Sequence, residues 1–137
     1  MYVIIMGCGR LGAELATKLE EDGHEVSILD IDKLAFDHLP PSFSGKKILG
    51  DGTDQNTLRR AEADRADAFI AATRGDNRNA LAAQVARHVF QIRRVGSVIF
   101  DPIREEVYHG LGLRTINPTK IEAQLLRELI EKEDGAE

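Results

Sequence analysis

Cysteine is nearly missing. Cys8 is the only one in 137 residues, so no internal disulfide can form, and a reducing cytoplasm is the expected compartment. No stretch approaches the roughly 20 consecutive apolar residues of a membrane-spanning helix. The apolar VIIM follows Met1 almost at once, with neither a basic leader nor a small-residue cleavage site, so no export signal is expected. A surplus of cations is missing as well. The formal net charge of -5 speaks against a nucleic-acid binder, because backbone phosphates are held by clustered Lys and Arg. Arg93-Arg94 is read as a solvated face.

The pairings of catalysis are absent too. His24, His38, His88 and His109 have no partner acid at a telling spacing, and they lack the spacing of metal ligands. There is no Walker-type GK[ST] and no triad pattern around Ser or Cys. The sequence therefore predicts no catalytic residue and no metal ligand.

What is present is the composition of a single folded domain with its own core, 42% hydrophobic and 30% charged. YVIIM, EVSILD, KKILG, DAFIAAT, RVGSVIF and RTI are short apolar runs of strand type, most of them bounded by Gly, Asp or Asn. Stretches of helical period lie between them. Leu11, Leu15 and Leu19, with Ala16 beside them, mark the first helix, which Gly23 ends. A second is expected over Gln55 to Ala61. A third should run from about Asn77 to Phe90, with Leu81, Val85, Ala86 and Val89 on its buried side. Pro102 and Pro118 open two more, the last with an apolar stripe of Ile121, Leu125, Leu129 and Ile130. KLAFDHLPPSFSG holds at most two turns of helix before Pro40-Pro41. Strands alternating with helices predict an α/β fold: a Rossmann-like, doubly wound, parallel six-stranded sheet of order 3-2-1-4-5-6, with helices on both faces.

GCGRLG follows the first strand directly and opens the first helix. In that place Gly7 can make the tight turn, Gly9 can let a phosphate approach the backbone, and Gly12 can allow close helix-to-sheet packing. The N–H groups at the start of that helix would face phosphate oxygens. Asp30 ends the second strand close to the position, about 20 residues past the glycines, where a carboxylate accepts from ribose hydroxyls. A 2'-phosphate would be repelled by Asp30, and neither Ile31 nor Asp32 offers a cation for it. Arg10 is either a surface residue or a cation for the phosphate tail. Cys8 is read as small filler beneath the loop.

Two further loops fall at carboxyl ends of strands. In LGDGTD, Asp51, Gly52 and Thr53 are either site residues or a plain turn with Thr53 or Asp54 as helix cap, and spacing alone favours the turn. In AATRGDNRN, Thr73, Arg74 and Asn79 are placed to face a nucleotide, and Asp76 is expected to cap the next helix.

Together, GCGRLG, the acidic end of ILDID, GDGTD, the later T-x-x-D-x-x-N and the INP near the end resemble the N-terminal nucleotide-binding domain of Trk and Ktr potassium-transport regulators, the RCK, KTN or TrkA-N domain. The resemblance covers nearly the whole chain. It implies that Gly7, Gly9, Arg10, Leu11 and Gly12 hold phosphates, that Asp30 holds the ribose and that Asp51 lies at the adenine, which reverses the preference from spacing. Thr73, Arg74 and Asn79 are implied as neighbours. The ligand would be NAD(H), ATP, ADP or AMP. The resemblance further implies a homo-oligomer and a membrane potassium channel or transporter as partner, with the protein cytoplasmic or peripheral at the inner face of the membrane. Residues 1–117 would form the nucleotide-binding domain and 118–137 a terminal helix whose apolar stripe either takes part in subunit contacts, as in the family, or covers this sheet's own face. The C-terminal domain usual in the family is expected on a separate chain or not at all. The competing expectation is a compact NAD-dependent oxidoreductase or a subunit of one.

Overall fold

The computed structural model describes residues 1–132. The last five residues of the expected terminal segment, 133–137, lie outside the described residues. Six strands form one sheet: β1 (Tyr2–Met6), β2 (Glu25–Asp30), β3 (Lys46–Leu49), β4 (Ala68–Ala71), β5 (Arg94–Val98) and β6 (Thr115–Ile116). Their order is β3-β2-β1-β4-β5-β6, and every pairing is parallel. Helices α1 (Arg10–Glu21), α2 (Gln55–Arg60), α3 (Asp76–His88), α4 (Pro102–Gly110) and α5 (Pro118–Glu131) follow strands 1, 3, 4, 5 and 6, and a 3-10 turn at Lys33–His38 follows β2. No helix among the described residues is long and apolar enough to cross a membrane.

The continuous run YVIIM is buried along its whole length, because helices cover both faces of a central parallel strand. Val3 and Ile5 join Val26, Ile28, Ala13 and Ala16 in a cluster under α1. Tyr2, Ile4 and Met6 face the other way, to Leu58 of α2, Phe69 of β4 and the alanines of α3. Ile4, Ile5, Ile28, Leu29 and Phe69 have no exposed surface, and each such burial is worth about 1.5–3 kcal/mol.

Three expectations need correction. Leu81 of α3 and Val89, the residue that caps its end, are exposed, while Ala80, Ala82, Ala83 and Ala86 pack on the sheet. Leu11 is likewise on the exposed face of α1, whose buried residues are Gly12, Ala13 and Ala16. In both helices small side chains let the backbone lie close to the strands, and the larger residues are left on the flanks. Asp76 does not cap α3: Gly75 holds the cap position. Asp76 is instead buried, and its two carboxylate oxygens accept from the N–H groups of Phe100 (2.8 Å) and Asp101 (2.9 Å), fastening α3 to the segment after β5.

Candidate functional site

At the carboxyl end of β1, Gly7 turns the chain at φ +109°, a conformation that side-chain-bearing residues rarely adopt. A Cβ there would stand 2.8 Å from the carbonyl oxygen of Ala72, so this loop lies directly against the loop after β4. Gly12 is required by packing, since its Cβ would meet the carbonyl oxygen of Gly7 at 1.8 Å. Gly9 has neither reason. Its φ of -75° is ordinary, and nothing lies within 4 Å of an added Cβ. Gly9 is also the cap residue of α1, with no side chain bonded to the helix start and no acid in its first turn. Open space is thus kept where free backbone N–H groups and the positive end of the helix dipole converge.

Asp30 borders that space from β2. One carboxylate oxygen accepts from the N–H of Cys8 and the other from the N–H of Asp32, each at 2.8 Å. Each oxygen keeps a second acceptor position, so the carboxylate can still receive two neighbouring hydroxyls. Ile31, beside it, is exposed. Cys8 is fully buried, and its thiol is pushed up to about 11, by burial first and by the charge of Asp30 second. It is therefore protonated at neutral pH. His38, which the sequence marks only as a surface or core histidine, places Nδ1 3.1 Å from the Cys8 carbonyl and 2.9 Å from that of Ala35. With acceptors on both sides, Nδ1 is the protonated nitrogen. The two backbone groups of Cys8 are thereby tied, the N–H to the end of β2 and the carbonyl to the connection that follows it. Arg10 is exposed, has no ion-pair partner among the described residues, and lines an open groove of about 390 Å³ with Ala13, Glu14, Thr17, His38 and Pro40.

The loop after β3 leans on the end of β1, where a Cβ on Gly52 would stand 2.2 Å from Met6 Sδ. Asp51 makes the expected turn and something more. Its Oδ1 accepts from the N–H (2.9 Å) and hydroxyl (2.8 Å) of Thr53 and also from Arg78 Nη2 (3.3 Å) on α3. The N–H of Thr53, then its hydroxyl, hold the Asp51 carboxyl below the usual carboxylate range, and the Arg78 charge adds to this. Asp54 is the cap of α2, accepting from Asn56 N–H at 2.8 Å.

Across the cleft, Thr73 and Asn79 bond to one another. Asn79 Oδ1 accepts from the Thr73 N–H (3.1 Å) and hydroxyl (2.5 Å), while Nδ2 donates to the carbonyls of Thr73 (2.8 Å) and Val98 (2.9 Å). Asn79 is fully buried and committed to joining the β4 loop to β5. Arg74 is exposed. The start of α3 at Gly75, like that of α1, has no capping side chain, whereas Asp54, Asp101 and Asn117 cap α2, α4 and α5. At the carboxyl ends of the strands the structure thus joins Asp30 to the glycine loop, sets that loop against the β4 loop and pairs Asp51 with Arg78 of α3, while Arg10 shares its groove with His38. A groove of about 450 Å³ beside α4 and β6 contains none of these residues.

Comparison with known proteins adds three findings. Residues 3–118 match the family model of the TrkA-N domain. The chain is 46% identical over 131 residues, 95% of its length, to the Trk system potassium uptake protein TrkA of Streptomyces coelicolor. It spans three fifths or less of the length of these curated relatives, 59% of that protein, 60% of a TrkA homolog from Methanothermobacter thermautotrophicus and 48% of one from Pyrococcus abyssi. The fold superposes on the Shewanella denitrificans Kef CTD in AMP-bound form with a TM-score of 0.82 at 22% identity, covering 99% of this chain and 84% of that one. It also superposes on the GsuK channel bound to NAD with a TM-score of 0.74 at 23% identity, covering 88% of this chain and 22% of that one.

Proposed function

The chain belongs to the TrkA-N domain family, and from that membership we propose that it is a cytoplasmic regulatory module that binds an adenine nucleotide and thereby controls potassium uptake through a membrane channel or transporter. The observation that carries the proposal is Gly9: a glycine that neither backbone conformation nor packing requires, facing open space at the uncapped start of α1. A phosphate would receive the free N–H groups there, the two oxygens of Asp30 would receive the ribose hydroxyls, and the base would lie toward Asp51. Asn79, fully buried, would shape the cleft by holding Thr73 at its edge. AMP, ADP, ATP and NAD(H) share these groups, and the AMP and NAD carried by structurally similar proteins support this ligand class.

Regulation needs a second state. A nucleotide shifts an assembly only by its difference in affinity for the two states, about 1.4 kcal/mol for each factor of ten. The assembly we propose is a homo-oligomer in contact with its membrane partner, using α5, whose Ile121, Leu125, Leu126, Leu129 and Ile130 are between 48% and 81% exposed. The family's C-terminal domain would come from further sequence or from a separate chain.

The test is a thermal-shift panel of AMP, ADP, ATP, NAD and NADH, since a ligand confined to the folded state raises stability by RT ln(1 + [L]/Kd). At least one nucleotide should raise Tm, and Asp30→Ala should flatten that response. The same nucleotide should alter potassium flux when protein and transporter are reconstituted together. If all five leave both stability and flux unchanged, the proposal fails. Hydride exchange with a small carbonyl compound would replace it with the oxidoreductase.

A further inference from the structure

The cleft is crossed by one ion pair. Arg78 lies in the first turn of α3, and its stem runs back over the helix start: a Cβ on Gly75 would stand 3.6–3.7 Å from the Cβ, Cγ and Cδ of Arg78. Its guanidinium then meets Oδ1 of Asp51 at 3.3 Å. The Asp51 loop leans over Met6 at the end of β1, and the glycine loop abuts Ala72 and Thr73 after β4. The pair therefore spans the cleft from the β3 side to the β4 side, above the boundary at which the glycine loop opens. Charge divides along the same line. Asp30 and Asp51 follow β2 and β3, on the side that would hold ribose and base, while Arg74 and Arg78 follow β4.

The pair is also easily exchanged. Its side chains are 42% and 48% exposed, and ion pairs so hydrated contribute little. Asp51 Oδ1 keeps two donors from Thr53 when the guanidinium leaves. A phosphate offers that guanidinium a shorter, two-pronged contact than the single one at 3.3 Å.

Resting on the nucleotide-binding proposal above, we propose that Arg78 sets the preference of the cleft for phosphate number. It straps Asp51 when no ligand is bound and transfers to the second phosphate of a nucleoside diphosphate or dinucleotide. AMP, whose lone phosphate is met by the glycine-loop N–H groups, leaves the strap closed.

Isothermal titration of the full chain with AMP and ADP tests this, on the wild type, Arg78→Gln, Arg78→Lys and, as a charge-matched control on the same helix, Arg87→Gln. Arg78→Gln should weaken ADP about tenfold or more, the loss expected for a hydrogen bond to a charged group, and leave AMP within about twofold. Arg78→Lys, keeping the charge without the fork, should fall between, and Arg87→Gln should match the wild type. A merely structural role would move both nucleotides together. An unchanged ADP-to-AMP affinity ratio in Arg78→Gln, or an equal change in Arg87→Gln, overturns the assignment to Arg78 and leaves nucleotide binding standing. Wild-type protein that binds neither nucleotide overturns both.

Discussion

Three glycines in one loop serve three different physical ends, and substitution separates them. Gly12→Ala drives a methyl group into the Gly7 carbonyl at 1.8 Å, so the variant should lose about 1–3 kcal/mol of stability, the usual cost of overpacking, along with nucleotide binding. Gly9→Ala adds a methyl group to open space at an ordinary φ. Its unfolding free energy should stay within about 0.5 kcal/mol of the wild type, while nucleotide affinity falls because the methyl group occupies the phosphate's approach. Chemical unfolding beside calorimetric titration distinguishes the two, and a Gly9→Ala protein that binds normally would remove the main support for a phosphate site. The glycine loop and Asp30 are legible in the sequence because their chemistry is contiguous: strand, turn, helix start, then an acid at the next strand's end. Arg78 and His38 are not, since nothing near Arg78 in the chain announces Asp51, and nothing near His38 announces Cys8. Asn79 reads as a site residue until its four hydrogen bonds show it spent inside the fold.

The strands and helices themselves are legible from alternating apolar runs, and the parallel sheet order follows from that alternation. Which face of a helix is buried is less so. Leu81, Val85 and Val89 repeat every four residues and look like a core stripe with Ala86 beside them, yet Leu81 and Val89 are exposed, Val85 packs at the edge of the core, and the stripe that meets the sheet is made of Ala80, Ala82, Ala83 and Ala86. Periodicity finds large apolar residues, whereas close packing of a helix on a flat sheet selects small ones. This inverts the ordinary expectation for substitution on α3. Ala83→Leu and Ala86→Leu, at positions with no exposed surface, should each cost about 1–3 kcal/mol by overpacking. Leu81→Ala, at a half-exposed position, should cost no more than about 0.5 kcal/mol. Urea unfolding of the three variants decides it, and a Leu81→Ala loss as large as the other two would mean that α3 is rotated from the face described.

At the scale of the whole molecule, β1 belongs to both hydrophobic clusters, so neither face of the sheet can come apart alone and unfolding should be a single transition. Each cluster contains one ionisable group that burial keeps neutral. Tyr2, on the α2–α3 side, has its hydroxyl within hydrogen-bond reach of Ser27 Oγ and the Ala61 carbonyl, and burial raises it above its usual value of 10.0. Cys8, on the α1 side, is raised from 9.0 to about 11. At neutral pH both groups are protonated whether the chain is folded or not, and neither contributes a slope. Above pH 9 the unfolded thiol loses its proton while the folded one keeps it. The folded state then binds more protons than the unfolded state, and stability falls as pH rises until about pH 11. Tyr2 steepens the fall from pH 10 upward. Cys8→Ala should therefore flatten the limb that begins at pH 9 while leaving the Tyr2 contribution in place. The variant starts from a lower plateau because it leaves a small cavity, so the quantity to compare is the slope of stability against pH in denaturant titrations. Parallel slopes for variant and wild type between pH 9 and 10 would show that the thiol titrates as if exposed, and that the segment beneath the glycine loop is open to water in solution.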